Sequence, residues 1–186
     1  MMYATLCKTA SKFVVTAVLS GAALCSHAAE LVNGDFTPYL GGINGIESDF
    51  NTAFAYEQTF TPVANAILDK VVWWGYYNFG SSDSSIEVFL DGSATPLSGI
   101  LTTSSAGNGI TQYVLDVPDS PLTATKIAIW NKSEDVRWFW QATTSDSSAE
   151  PVAFSLQGSL VPEPGTWALM LGGLALLPVL RRRPVH

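Results

Sequence analysis

Apolar and polar residues alternate with a period of two over most of the central chain. Ile86, Val88 and Leu90 alternate with Ser85, Glu87 and Phe89 before Asp91-Gly92 makes a turn. Thr111, Tyr113, Leu115 and Val117 alternate with Gln112, Val114 and Asp116 until Pro118 stops the run. Val136, Trp138 and Trp140 stand against Arg137, Phe139 and Gln141, and Val152, Phe154 and Leu156 against Ala153, Ser155 and Gln157. Successive strand side chains point to opposite faces, so each run predicts a half-buried strand. Shorter runs at 54–60 and 126–130 fit the same template. Segment 67–79 is longer and apolar on both faces, which predicts a strand covered on both sides, with Gly75 at a bulge or bend. On 136–141 the pattern turns both tryptophans toward the core with Val136. Arg137 and Gln141 fall on the opposite face, where substitution is expected to cost little.

Between the runs, segments 78–85, 92–109 and 142–151 are rich in Gly, Ser, Asn and Pro and read as surface loops. No stretch carries the period of an amphipathic helix. About seven short strands in about 130 residues predict an all-β fold, an antiparallel β-sandwich or jelly roll. Its opening, Leu31-Val32-Asn33-Gly34-Asp35-Phe36, is similar to the first strand of galactose-binding-like jelly rolls, and Asn-Gly before an aromatic is equally an ordinary turn.

The two ends follow other patterns. Lys8 and Lys12 precede an uncharged apolar stretch at 13–24 (FVVTAVLSGAAL), and small residues follow through Ser26-His27-Ala28-Ala29. Basic, apolar and small-residue regions in this order predict an export signal over residues 1–28, cut by signal peptidase after Ala28 or, alternatively, Ala29. The apolar run is shorter than the ~20 residues that span a bilayer, which argues against an uncleaved anchor. Leu24 is too bulky to precede a lipidated Cys25. At the other end, Val161-Pro162-Glu163-Pro164-Gly165 forbids helix or central strand. An uncharged apolar stretch follows at 166–180, then Arg181, Arg182 and Arg183. Such a stretch is just long enough for a short transmembrane-type helix with its arginines snorkelling on the cytoplasmic side. The Pro-Glu-Pro then lies outside, where the exported domain, residues 29–160, would end.

This tail, residues 161–186, resembles the PEP-CTERM sorting signal of Gram-negative, polysaccharide-producing bacteria. Pro162-Glu163-Pro164, the apolar helix and the arginine trio carry the resemblance, which does not extend to the body of the chain. It implies a protein held transiently in the inner membrane, recognised by an exosortase-like transpeptidase and cut near the Pro-Glu-Pro. Its destination would be the cell surface or extracellular matrix. A plain C-terminal anchor predicts the same location without processing.

Composition narrows the chemistry of the body. Cys7, Cys25 and His27 lie in the signal region and His186 is the last residue, so the domain has neither cysteine nor histidine. No disulfide staples it, and Ser-His-Asp or Cys-His nucleophile systems are excluded, as is histidine- or cysteine-ligated zinc. Between residues 30 and 160, fifteen acidic side chains face four basic ones (Lys70, Lys126, Lys132, Arg137), a net of −11. A phosphate backbone would be repelled, which argues against nucleic acid as a partner.

Three kinds of site fit what remains. Aromatic rings hold sugars by stacking on their C–H faces, and Trp74, Tyr76, Trp138 and Trp140 are the candidate stacking residues, each weighed against a place in the core. Asp35, Asp83 and Asp91 are candidate calcium ligands, although none follows a spaced ligand pattern and solvated loop acids read the same way. Glu57, Glu87 and Glu134 are the carboxylates a glycosidase would need to pair across a cleft, and outward glutamates on alternating strands also read as a solvated face. The expectation is therefore an exported, non-enzymatic protein with a structural or adhesive role in an exopolysaccharide layer and no obligatory cofactor. A carbohydrate-binding module is the alternative and a carboxylate glycosidase the more distant one. Purified mature protein is expected to carry no stoichiometric zinc and to keep its melting temperature under a zinc chelator. Metal analysis returning one zinc per chain would overturn this.

Overall fold

The computed structural model describes residues 28–52, 55–146, 151–161 and 165. The signal segment, Pro162-Glu163-Pro164, the apolar stretch at 166–180 and the arginine trio lie outside the described residues. Among those described, no helix is long and apolar enough to cross a membrane.

The described chain is all-β. In order it forms β1 (Ala29–Glu30), β2 (Val32–Asn33), β3 (Gly45–Glu47), β4 (Tyr56–Thr59), β5 (Thr61–Pro62) and β6 (Ala66–Phe79). A 3₁₀ turn at Asp83–Ser85 leads into β7 (Ile86–Leu90), β8 (Ile100–Gly107), β9 (Ile110–Pro121), β10 (Lys126–Asn131), β11 (Arg137–Gln141) and β12 (Phe154–Leu160). All pairings between these strands are antiparallel.

β6 is the axis of a seven-stranded sheet. One edge pairs with β9, which carries β8 beyond it. The other edge is shared: β12 takes residues 66–73 and β11 takes 75–79. β1 extends the sheet outside β12, and β3 outside β11. A second sheet runs β4-β10-β7, and β2 pairs with β5. One hydrophobic cluster joins the large sheet (Leu68, Val71, Trp73, Tyr113, Leu115, Trp138, Trp140, Phe154, Leu156) to the small one (Val88, Ile127, Ile129), a sandwich-like arrangement. Inside it Trp73 stacks on Tyr113 at 5.3 Å, and Trp138 meets Tyr113 edge-on at 6.1 Å.

Three features depart from the sequence reading. Segment 92–109 is not all loop, because β8 occupies its second half. Its Ser/Thr-rich residues are mostly exposed, so the strand has no buried face to impose an alternating pattern. Gly75 marks no bulge: a Cβ there would collide with the Trp138 indole and lie 2.8 Å from Phe139 O, so glycine seats the ring. The irregularities on β6 fall at Asn78, against β11, and at Asp69, an extra residue against β12 between the pairs Leu68–Gly158 and Lys70–Gln157. The extra residue changes the phase, so Ala66 and Leu68 share the core face with Val71 and Trp73.

The third departure is Gln141, which is fully buried although it lies on the outer face of β11. Its Nε2 donates to Tyr39 O at 2.6 Å and Gly42 O at 3.1 Å, and its Oε1 accepts from Asn44 N at 3.2 Å. The segment before β3 folds over the sheet and covers it. Arg137 does stay exposed, forming a two-pronged ion pair with Glu47.

These environments rank the substitutions on β11. Trp138→Ala or Trp140→Ala is expected to cost ~3–5 kcal/mol, Gln141→Ala ~1–3 kcal/mol and Arg137→Ala under ~1 kcal/mol. Urea unfolding of the mature protein measures all four. Gln141→Ala unfolding like the wild type would show that the covering segment is held by something else.

Candidate functional site

β-branched and aromatic residues at alternate positions of β6 give the large sheet a second, outward face. Lys70, Val72, Trp74 and Tyr76 lie along it, next to Gln112, Val114 and Asp116 on β9 and Ser155 and Gln157 on β12. A groove of about 760 Å³ opens over this face. Lys70, Val72 and Trp74 form its floor, with Gln112 and Val114 on one side and Ser155, Gln157 and Glu30 on the other. The chain from Gly34 to Leu40 makes the remaining wall.

That wall is fixed at several points. Beyond the Gln141 contacts, Tyr39 N donates to Ala142 O at 3.0 Å, and Asn108 Nδ2, from the β8–β9 hairpin, donates to Leu40 O at 2.7 Å. Asp35 accepts from Thr37 N at 3.0 Å, and hydrogen bonds from Thr37 hold its carboxyl below the usual range. At the groove's other end Glu30 accepts from Ser155 Oγ and from Leu156 N. Desolvation there raises the Glu30 carboxyl above its ordinary value, against the opposing pull of those two hydrogen bonds.

Of the four candidate stacking residues, the fold leaves one available. Trp138 and Trp140 are fully buried in the core, where their size fills the space between the sheets. Tyr76 points outward but is buried at 8% exposure, its ring stacked on Phe139 at 5.1 Å and 5°. Trp74 is partly exposed and lines the groove. Among the described residues the other partly exposed tryptophan, Trp130, lies on the outer face of the small sheet under Lys132, whose Nζ sits 5.5 Å from its ring and pairs with Glu87 at 2.5 Å.

The candidate calcium ligands do not converge. Among the described residues no three acidic, histidine or cysteine side chains form a metal-sized group. Each aspartate instead serves the chain. Asp35 caps the turn at Thr37. Asp91, in a turn with Gly92 at φ 50° and 67°, accepts from Thr125 N at 2.7 Å and Lys126 N at 3.0 Å. Asp83 accepts from Tyr77 Oη at 2.7 Å and Tyr113 Oη at 3.3 Å, which ties the 3₁₀ turn to the core.

The three glutamates also stay apart. Glu57 and Glu87 sit on opposite neighbours of β10, beside Ala128 and Trp130, and pair with Lys126 and Lys132. Glu134 is exposed after β10. The polar groove residues Lys70, Gln112 and Gln157 were not separable in the sequence from other outward positions, because only strand register brings them together. No family model matches the chain, and no curated protein or solved structure gives a significant match to it.

Burial of the tyrosines that bond to exposed Asp83 has a consequence at high pH. Desolvation, with Asp83 adding to it, pushes the Tyr113 hydroxyl up to about 12 from an ordinary 10.0, and burial raises Tyr77 further. A raised folded-state value means the native protein holds its protons longer than the unfolded chain. The stability they contribute is complete below pH 10 and is lost as pH climbs toward 12. Tyr113→Phe is therefore expected to flatten the fall in stability over this window. An unchanged alkaline slope, measured by urea unfolding at successive pH values, would refute this linkage.

Proposed function

We propose that this is an exported protein whose β-domain is presented at the cell surface or in the extracellular matrix, with a structural or adhesive role in an exopolysaccharide layer. Signal peptidase releases the N-terminus, and an exosortase-like transpeptidase processes the PEP-CTERM-like tail after transient anchoring in the inner membrane. The jelly-roll form of the sandwich and the transmembrane-type helix belong to the same proposal.

The observation that carries it is where the two chain ends meet. β1 starts at Ala29, the residue after the expected cut, and pairs with the last strand in the register Ala29–Gly158. β12 ends at Leu160, two residues before Pro162. Cuts after Ala28 and near the Pro-Glu-Pro therefore remove no strand of the described sheets, and both ends leave from one border of the large sheet. The absence of cysteine from the domain makes it indifferent to an oxidising destination. The ion pairs that engage Glu57 and Glu87 on separate strands favour a non-catalytic role. The groove at Trp74 favours a second reading within the same setting, a carbohydrate-binding module.

Intact-mass analysis of the protein recovered from the cell surface or matrix tests the proposal. The mature chain is expected to begin at Ala29 or Glu30 and to lack Arg181, Arg182 and Arg183. A mature chain still ending in His186 would overturn sorting and leave a simple anchor.

A further inference from the structure

We infer that the groove on the outer face of the large sheet is a binding subsite for a neutral sugar unit of a polysaccharide, with Trp74 as its stacking platform. The inference rests on the export reading for its setting and on the groove for its chemistry. Trp74 stands opposite Gln112 across β6 and β9. Among the described residues it packs against no other ring, and its indole N–H has no acceptor. A flat apolar face with an open donor at its edge fits a sugar ring, which offers C–H groups on its face and hydroxyls around its rim.

The rim of the groove has the hydrogen-bonding capacity such a ligand needs. Gln112 Oε1 accepts from Ser104 Oγ at 3.3 Å, which leaves its amide N–H groups free among the described residues. Gln157 Nε2 donates to Ser155 Oγ at 3.0 Å, leaving its carbonyl oxygen free in the same sense. Asp35 adds a carboxylate oxygen at the wall. Donors and acceptors thus surround the ring, as a hydroxyl-bearing ligand requires. The volume lies within the ~300–1,000 Å³ usual for small-ligand sites. The hydrogen bonds that pin the wall at Tyr39, Leu40 and Gly42 prepare the cleft before any ligand arrives, which lowers the ordering cost of binding.

Charge selects among glycans. The cation lining the groove, Lys70, is neutralised by Asp116 at 3.4 Å. Glu30 and Asp35 line the same groove, and the domain carries −11 overall. A uronate-, sulfate- or phosphate-bearing polymer meets repulsion here, and a neutral one does not. One stacking ring gives weak binding to one sugar unit, and repeated units of a matrix polymer held by many copies of the protein turn this into retention.

Native affinity electrophoresis of the full chain in mild detergent tests the inference, with galactomannan and xyloglucan as neutral polymers and alginate as the anionic one. Retardation by at least one neutral polymer and none by alginate is expected. Trp74→Ala and Gln112→Ala should each weaken retardation roughly tenfold, Trp74→Phe should keep part of it, and Trp130→Ala, on the other sheet, should leave it unchanged. Melting curves of each variant separate lost binding from lost fold, and Gln157→Ala replaces any variant that unfolds. Migration unaffected by both neutral polymers, preference for alginate, or loss through Trp130→Ala with Trp74→Ala intact would each overturn the subsite. Correct processing without retardation would sink the groove and spare the export reading. Retardation of the full chain, together with a matrix-recovered chain still ending in His186, would do the reverse.

Discussion

Strand β6 is hydrogen-bonded along both edges and covered over most of both faces, and the other elements take their places from it. Its core face sets Val71 and Trp73 against the small sheet, and Gly75 leaves room for the Trp138 indole. Its outer face carries Val72, Trp74 and Tyr76. A strand with only one buried face would give either the core or the groove. The bulge at Asp69 against β12 lets one continuous strand keep apolar residues on the core side past the point where strict alternation would have turned them outward.

Polar groups with no exposure then join what the apolar core only brings close. Ser48 Oγ donates to Ile129 O at 2.6 Å and accepts from Tyr56 N, which links the end of β3 in the large sheet to β10 and β4 in the small one. Asp49 accepts from Trp138 N at 2.8 Å and from Asn51 N at 2.9 Å. Asn131 reaches Ser82 O at 3.0 Å and Tyr77 Oη at 3.3 Å. Gln141 does the same for the wall of the groove. Each of these side chains is buried with its hydrogen bonds made, so each fixes one chain path where apolar contact alone would tolerate several. Without disulfides, this is how the loops of the domain are held.

The candidate site was partly legible. The runs at 86–90, 111–117, 126–130, 136–141 and 152–156 are strands or border them, because large apolar residues on one face alternate with mostly small or polar ones on the other and the period shows it, even at 152–156 where both faces are buried. β8 was illegible for the opposite reason, having two wet faces. Trp138 and Trp140 share the core with Val136, as the alternation implied. Gln141 broke the same logic, because an outward position is solvent-exposed only when nothing folds over it, and the segment that covers it lies about a hundred residues earlier in the chain.

What the sequence determined by itself is local or compositional: the all-β class, the main strands, the absence of histidine and cysteine chemistry, the acidic body and the patterned ends. These need only neighbouring residues or a count. The tertiary structure decided which outward aromatic is left uncovered. Trp74 and Tyr76 are two residues apart on one face, and only the packing of Phe139 on β11 separates a buried ring from an available one. It also decided that Asp35, Asp83 and Asp91 stay apart, and that Lys70, Gln112 and Gln157 come to one groove. Strand register and loop closure set those distances, and both are fixed by contacts between residues far apart in the chain, which no local pattern encodes.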